Sequence, residues 1–140
     1  MKLSRTVAYA VRATLQLAKS DSTTPVPCSQ LAAEGNMPER FLLQILRSLV
    51  THGILRSTRG VDGGYSLVRS PNEVSLLEVI EAIEGPLSSG EPVTEGLSEE
   101  SQLRLHEALR SVTDQSRRQL EAIKLSQLLE PPSTTENTPA

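Results

Sequence analysis

The sequence predicts a mainly α-helical protein with one small β-hairpin, and three observations support this fold class. A short helical pattern ends at Gly35 and a second begins at Pro38, which is the spacing of a helix-turn-helix. A glycine-rich loop then separates two β-capable runs, as in a hairpin. An apolar row later follows a helix that is too long for one small core. Together they predict a winged helix-turn-helix domain and a long C-terminal dimerisation helix.

Length and composition exclude several classes of protein. The 140 residues suit one domain plus an oligomerisation element. A single cysteine rules out an internal disulfide and any metal site that needs more than one thiolate from the same chain. No run of about 18 apolar residues is present, so we expect no membrane-spanning helix and a cytoplasmic protein.

The charge is distributed unevenly along the chain. Residues 1–69 contain nine Lys/Arg and four Asp/Glu, a balance of +5, whereas residues 70–140 contain five and thirteen, a balance of −8. The acidic half is explained by a solvated helix surface. The basic half predicts contact with a polyanion, although the net charge is −3.

The N-terminal stretch predicts an amphipathic helix from Ser4 or Arg5 to about Lys19. Arg5 and Arg12 interrupt its apolar residues, which argues against a signal peptide. The predicted inner stripe consists of Val7, Ala8, Val11, Leu15 and Ala18.

A helix-turn-helix is predicted at about 28–52, and its second helix carries the clearest division into two faces. Pro38 suits the first helical position and Gly53 supplies the end of the helix. The side predicted to be buried contains Phe41, Leu42, Ile45, Leu46, Leu49 and Val50. The opposite side, which has no apolar reason to be covered, contains Arg40, Leu43, Gln44 and Arg47.

A wing is predicted at about 54–69. The runs from Ile54 to Thr58 and from Tyr65 to Arg69 are β-capable, and Arg59 lies beside the glycine-rich loop between them. Taken singly, a polar helix face is usually a solvated surface and such a loop is usually a turn. Their order along the chain is what favours contact with nucleic acid.

The next helix has the strongest local signal. Ser75 and Glu78 have the spacing of a capping box, and Val74 and Val79 are placed to form the accompanying hydrophobic staple. Gly85, followed by proline, ends this helix.

These signals divide the chain into four parts. We expect a DNA-binding domain over 1–85, a flexible loop over 86–97, a dimerisation helix over 98–130 and a disordered tail over 131–140. The longest helical pattern runs from about Ser98 to Lys124, and a helix folded back on its own domain is the alternative to a dimer. The predicted dimer interface consists of Leu105, Leu109, Val112, Ser116, Leu120 and Ile123.

Three segments resemble the Rrf-two (Rrf2) family of bacterial transcription regulators: MKLSRTVAYAVRA, MPERFLLQILRSLVTHGILRSTRGVDGGYSLVRSP and EVSLLEVIEAIEG. The likeness covers about residues 1–85 strongly and the long helix more weakly. The wing motif is its most specific part, with Arg59-Gly60, Gly63-Gly64-Tyr65, Leu67 and Arg69. The resemblance implies a homodimeric repressor or activator that binds double-stranded DNA at a partly palindromic operator.

The resemblance also implies which residues contact DNA. The second helix of the helix-turn-helix would enter the major groove, and Arg59 would reach the minor groove from the wing. Arg47 and Arg56 suit phosphate contacts, which position the protein without specifying sequence. Cluster-binding members have an acidic residue where this chain has Leu43, so their operator does not transfer. The predicted DNA-binding residues are Glu39, Arg40, Phe41, Leu43, Gln44, Arg47, Arg56, Arg59, Gly60, Gly63, Gly64 and Tyr65.

The sensing region departs from the cluster-binding members of the family, which place three cysteines and a histidine there. The corresponding positions here are Pro92, Ser98, Arg104 and Glu107. Because iron–sulfur clusters require thiolates, we expect no cluster, no metal and no other cofactor. Cys28 is the remaining candidate for a redox switch, since a helix N-terminus can lower a thiol pKa, but a packing role is favoured.

Two other classes of function compete with a DNA-binding regulator. A winged-helix protein-interaction module, or a regulator controlled by a partner protein, is the alternative to control by a bound cofactor. An enzyme is disfavoured, because the sequence places no nucleophile beside a base and no lysine after the glycine-rich loop as a P-loop requires.

Overall fold

The computed structural model describes residues 2–19, 24–88, 90 and 94–129. Part of the predicted loop over 86–97 and the predicted tail over 131–140 lie outside these residues. The predicted fold class, mainly α with one hairpin, is confirmed. The elements are α1 (Arg5–Lys19), α2 (Cys28–Gly35), α3 (Glu39–Thr51), β1 (Leu55–Thr58), β2 (Gly64–Leu67), α4 (Leu76–Glu84), α5 (Glu99–Ala122) and α6 (Leu125–Leu128).

Helix α1 is the central helix of the domain and contacts α2, α3, α4, α6 and β2. Ser4 caps it, because its hydroxyl oxygen accepts a hydrogen bond from the Val7 N–H at 3.1 Å. Of the stripe predicted to face inward, only Val7 is fully buried. Val11 and Leu15 are half-buried against the main core, and Ala8 and Ala18 are half-buried. That face consists of Val7, Ala10, Ala13, Thr14 and Leu17.

The turn between α2 and α3 depends on one residue in the left-handed region. Asn36 has φ 55°, and the N–H of Met37 donates to the Ala32 carbonyl at 2.9 Å. Pro38 lies just before α3, as its N-cap, where it donates no hydrogen bond. The tight turn fixes α3 against α1 and α2, with its apolar side in the core.

The wing pairs Leu55 with Leu67 and Thr58 with Gly64 in an antiparallel register. Its second strand is paired on the other side as well, because Val26 and Tyr65 exchange two backbone hydrogen bonds of 2.9 Å. The segment before α2 therefore holds the base of the wing against the helix-turn-helix.

The capping box of α4 is confirmed. The Glu78 N–H donates to the Ser75 hydroxyl at 3.1 Å, and the Ser75 N–H donates to the Glu78 carboxylate at 3.0 Å. Val74 and Val79 are fully buried, as the staple predicts. Local sequence alone accounts for where this helix begins.

Helix α5 has 24 residues, so it extends for about 36 Å. After α5 the chain returns to the domain: the Leu76 N–H donates to Ile123, and the Leu125 N–H donates to Val74, at 2.8 and 2.9 Å. Leu125 is fully buried in the main core cluster. In the described ranges, no helix has the length and apolar character that crossing a bilayer requires.

Candidate nucleic-acid interface

Helix α3 has one buried side and one exposed side. Leu42, Ile45, Leu46 and Leu49 are buried in the core. On the other side the side chains of Glu39, Arg40, Gln44 and Arg47 are exposed, and Leu43 is half-buried among them. The two faces are therefore those that the sequence pattern predicts, and no described segment covers the polar one.

Phe41 differs from the pattern, which placed it on the buried side. Its side chain is 38% exposed at the N-terminal end of α3. The Phe41 ring packs edge-on against Tyr9, with 5.8 Å between ring centroids. Phe41 thus borders both the core and the exposed face, which is compatible with the contact role that the resemblance implies.

The wing tip turns sharply and exposes Arg59. The Gly63 N–H donates to the Gly60 carbonyl at 3.0 Å, and a Cβ on Gly63 would lie 2.2 Å from the Thr58 carbonyl oxygen. Val61, at the tip, is fully exposed. No larger residue fits at Gly63 without moving the backbone, so glycine there is a structural requirement of the tip.

Gly64 and Tyr65 are half-buried at the base of the wing, whereas direct contact with DNA would require exposed positions. A Cβ on Gly64 would lie 2.4 Å from the Val26 backbone, and Tyr65 is half-buried against the main core. Gly64 and Tyr65 therefore join the wing to the domain. Gly60, by contrast, is exposed at the tip with φ 111°.

Four arginines of α3 and the wing are exposed: Arg40 and Arg47 on α3, Arg56 on β1 and Arg59 at the wing tip. None of them takes part in the three ion pairs found among the described residues. Asp62 lies at the tip and Glu39 at the start of α3. The surface is thus basic on balance, with cations free of salt-bridge partners in the described structure.

Sequence reasoning missed two α1 side chains that reach this surface. Tyr9 packs on Phe41, and the Arg12 guanidinium lies 5.4 Å above the centre of the Tyr9 ring. Their spacing of three residues places both on one helix face. That spacing was visible in the sequence, but nothing there indicated which face would meet α3.

Cys28 is half-buried at the start of α2, with its sulfur 3.7 Å from the Glu39 carbonyl oxygen. Burial raises the pKa of the Cys28 thiol, and the nearby charge of Glu39 raises it further. The lowering expected at a helix N-terminus is therefore wrong in direction. Such a thiol is less reactive than a free cysteine, which favours the packing role.

The positions equivalent to the cluster ligands do not suit an iron–sulfur cluster. Ser98 caps α5 by accepting the Ser101 N–H at 3.1 Å, and Arg104 pairs with Glu100 at 2.8 Å. Within the ranges that the structure describes, no group of three or more His, Cys, Asp or Glu side chains is close enough to hold a metal ion. Pro92 lies outside those ranges, and proline offers no ligand atom on its side chain.

The predicted dimer row on α5 divides into two parts. Leu120 is buried with Val7, Leu77 and Ile80, so the end of the helix packs on its own domain. Ile123 lies beyond the helix as its C-cap. Further upstream Val112 is 60% exposed, whereas the other row members are half-buried: Leu105, Leu109 and Ser116. Leu103, which lies outside the row, is 65% exposed.

The sequence matches the Rrf2 family, described as "Iron-dependent Transcriptional regulator", over residues 3–131. An HTH-type transcriptional regulator of Mycobacterium tuberculosis is 45% identical over 89 residues, a match that covers 64% of this chain and 55% of that protein. This chain thus spans about half the length of that relative. CymR of Bacillus subtilis is 30% identical over 116 residues, covering 81% of this chain and 84% of CymR.

Solved structures of named regulators resemble this fold. The structure of CymR, the global cysteine regulator of B. subtilis, superimposes with a TM-score of 0.72 at 28% identity, covering 91% of this chain and 95% of that one. The T. potens IscR structure gives 0.68 at 25% identity, covering 91% and 85%. The chain therefore belongs to the Rrf2 family of transcriptional regulators.

Proposed function

We propose that this chain is a homodimeric, sequence-specific regulator that binds duplex DNA without an iron–sulfur cluster. The observation that carries the proposal is the exposed polar side of α3, which lies beside a hairpin tipped by Arg59. The core holds the opposite side of α3 rigidly through fully buried leucines. A rigid helix with one free polar face has the dimensions and chemistry of a major-groove reader.

In this proposal, α3 presents its N-terminal half to base edges. Arg40 and Gln44 lie on the exposed side and can donate to guanine or pair with adenine, respectively. Leu43 and Phe41 offer apolar contact to a thymine methyl group, and Glu39 can accept from cytosine. The half-buried Leu43 is the departure from cluster-binding members, so this operator would differ from theirs.

The wing and the flanking arginines would supply the remaining affinity. Arg59 lies at the exposed wing tip, from which it would reach the minor groove, whose negative potential is strongest where the groove is narrow. Arg47 on α3 and Arg56 on β1 are exposed and would neutralise phosphates. Gly60 keeps the tip free of a side chain, whereas Gly63, Gly64 and Tyr65 support the wing from within.

Two copies are needed to read a partly palindromic site. The exposed Val112 and the half-buried Leu105 and Leu109 form an apolar row on the part of α5 that precedes its packed C-terminal end. An apolar row of this kind is stabilised by a second copy that covers it. We therefore keep 1–85 as the DNA-binding part and assign dimerisation to the first two thirds of α5, within the predicted 98–130 region.

The absence of a cluster is proposed from donor chemistry. One thiol per chain, half-buried beside α3, does not meet the need of an iron–sulfur cluster for several thiolates. The iron in the family description therefore does not extend to a cluster in this chain. Iron and sulfide analysis of protein purified without oxygen tests this directly, and stoichiometric amounts of both would overturn it.

The decisive experiment selects binding sites from random duplexes and then measures affinity across salt concentrations. We expect two half-sites about one helical turn apart, or a multiple of it, and a steep loss of affinity as salt rises. Arg59→Ala should weaken operator binding, whereas Arg118→Ala, which removes an exposed arginine on α5, should not. Two results would favour the protein-interaction module instead. Either the wild-type protein enriches no DNA sequence, or the Arg59→Ala variant binds the selected DNA with the same affinity as wild type.

A further inference from the structure

One face of α1 is turned toward the helix-turn-helix and contacts each of its parts. Tyr9, Arg12 and Gln16 recur at helical spacing on that face. Tyr9 touches Phe41 at the start of α3, and Gln16 donates from Nε2 to the Leu31 carbonyl in α2 at 3.2 Å. Arg12 contacts the turn between them. A single helix face thus spans α2, the turn and α3.

Arg12 makes two different contacts within the protein. Its Nη1 donates to the Gly35 carbonyl oxygen at 2.7 Å, which is the length of a charge-assisted hydrogen bond. Its guanidinium carbon lies 5.4 Å from the centre of the Tyr9 ring, within cation–π range. Through Tyr9 the same arginine is linked to Phe41, which lies on the exposed end of α3.

The turn itself is closely packed against this arginine. A Cβ placed on Gly35 would lie 3.3 Å from the Arg12 Cδ and 2.6 Å from the Met37 Cε. The next residue, Asn36, has a left-handed φ of 55°. The carbonyl that Arg12 holds is therefore the last one before the chain reverses direction between α2 and α3.

We infer that Arg12 is a positioning residue that sets the orientation of α3 relative to α2, and thereby the sequence discrimination of the protein. This inference rests on the proposed DNA-binding function. The hydrogen bond to Gly35 and the Tyr9 ring hold the Arg12 guanidinium at the turn, although its side chain is exposed. Its loss should loosen the turn and the Phe41 end of α3, which would blur base readout and leave phosphate contacts in place.

The test compares the selected operator duplex with a shuffled duplex of the same length, for wild type, Arg12→Gln and Arg118→Gln. Arg12→Gln should lose about tenfold or more of its preference for the operator, comparable to one good base contact. Its slope of log affinity against log salt should equal that of wild type. Arg118→Gln removes the same charge from the exposed side of α5 and should keep both the preference and the slope.

Two tyrosine variants separate positioning from charge. Tyr9→Leu should lower the operator preference although no charge changes, and its effect should not add to that of Arg12→Gln, since both act through one linked set of contacts. Tyr9→Phe keeps the ring and should retain the preference. Additive losses, or a loss in Tyr9→Phe equal to that in Tyr9→Leu, would overturn the inference.

The outcomes also separate this inference from the function on which it rests. A salt slope reduced by about 0.9 in Arg12→Gln would make Arg12 a phosphate contact and would overturn the positioning role. Equal weakening on both duplexes with an unchanged slope would indicate a purely structural role and would also overturn it. A wild-type preference that persists in Arg12→Gln refutes the inference alone, whereas a wild type with no preference refutes both.

Discussion

Arg69 and Glu78 form a salt bridge that joins the end of the wing to the start of α4, with Nη2 and Oε1 2.5 Å apart. Arg69 also donates to the Glu73 carbonyl at 3.1 Å. Glu78 is at the same time the capping-box partner of Ser75. One carboxylate therefore caps a helix and also holds Arg69, the last arginine of the wing motif, against the domain.

The stability of this junction should depend on pH. Burial raises the pKa of Glu78, but the hydrogen bonds from Arg69 and Ser75 and the charge of Arg69 outweigh burial and hold that pKa below its usual range. A lowered folded-state pKa contributes stability that is present above the unfolded pKa of about 4.3 and is lost as pH falls through the folded value. Urea unfolding of wild type should show this loss in acid.

Glu78→Gln is the matched variant, because glutamine still serves at the third position of a capping box. The free energy of unfolding of Glu78→Gln should be lower than that of wild type at pH 7. Between pH 5 and pH 3, which bracket the unfolded pKa of glutamate, it should fall by less than that of wild type. If the two proteins lose the same stability in acid, the Glu78 carboxylate is not the cause of the acid sensitivity.

The segment after α5 should be essential to the stability of the domain. Leu125 is fully buried, so Leu125→Ala should lower the free energy of unfolding by about 2–5 kcal/mol. Leu128, in the same short helix, is 38% exposed, and Leu128→Ala should cost much less. Denaturant unfolding measures both, and similar small losses would mean that the segment does not belong to the core.

Gly64 should tolerate no side chain. Its φ of 152° is unfavourable for other residues, at a cost of about 1–3 kcal/mol, and a Cβ would also meet the Val26 backbone. Gly60 has a positive φ of 111° but open space around it. Gly64→Ala should therefore be more destabilising than Gly60→Ala in thermal unfolding. The reverse order would contradict the pairing between Val26 and Tyr65.

The proposed dimer should separate when a charge enters the apolar row of α5. Val112 is 60% exposed in the single chain, so Val112→Glu should keep the fold while burying a charge in the proposed interface. Sedimentation should then report a smaller species. Ser111→Glu adds the same charge at an exposed position on another side of α5, and this variant should remain dimeric. If both variants sediment alike, the row is not the interface.

Cys28 should respond weakly to oxidants. Because burial and Glu39 raise its thiol pKa, the thiolate is scarce at neutral pH and should react with a disulfide reagent more slowly than a free cysteine. Peroxide should leave operator affinity of wild type and Cys28→Ser alike. The redox-switch hypothesis would be supported if Cys28 reacts rapidly and if peroxide lowers the operator affinity of wild type but not that of Cys28→Ser.

Local signals were predictable from the sequence, and long-range contacts were not. Ser75 and Glu78 are three residues apart, and the two faces of α3 follow from helical spacing, so both were predicted. The backbone pairing of Val26 and Tyr65 joins residues 39 positions apart, and no local sequence pattern indicates it. For the same reason the sequence pattern assigned Leu120 to a dimer, although it packs on Val7 and Ile80 in its own domain.

The return of the chain after α5 means that the N-terminal domain does not end where its sequence motifs end. Leu125 fills its core, and the backbone at Ile123 and Leu125 bonds to the segment at 74–76. A fragment cut after residue 85 would lack the buried side chains of Leu120 and Leu125. It would also lack three backbone hydrogen bonds, because the Ser126 N–H donates to the Pro71 carbonyl as well. To isolate the N-terminal domain with its core complete, one would have to retain residues 120–129 and join them to residue 85 through a linker.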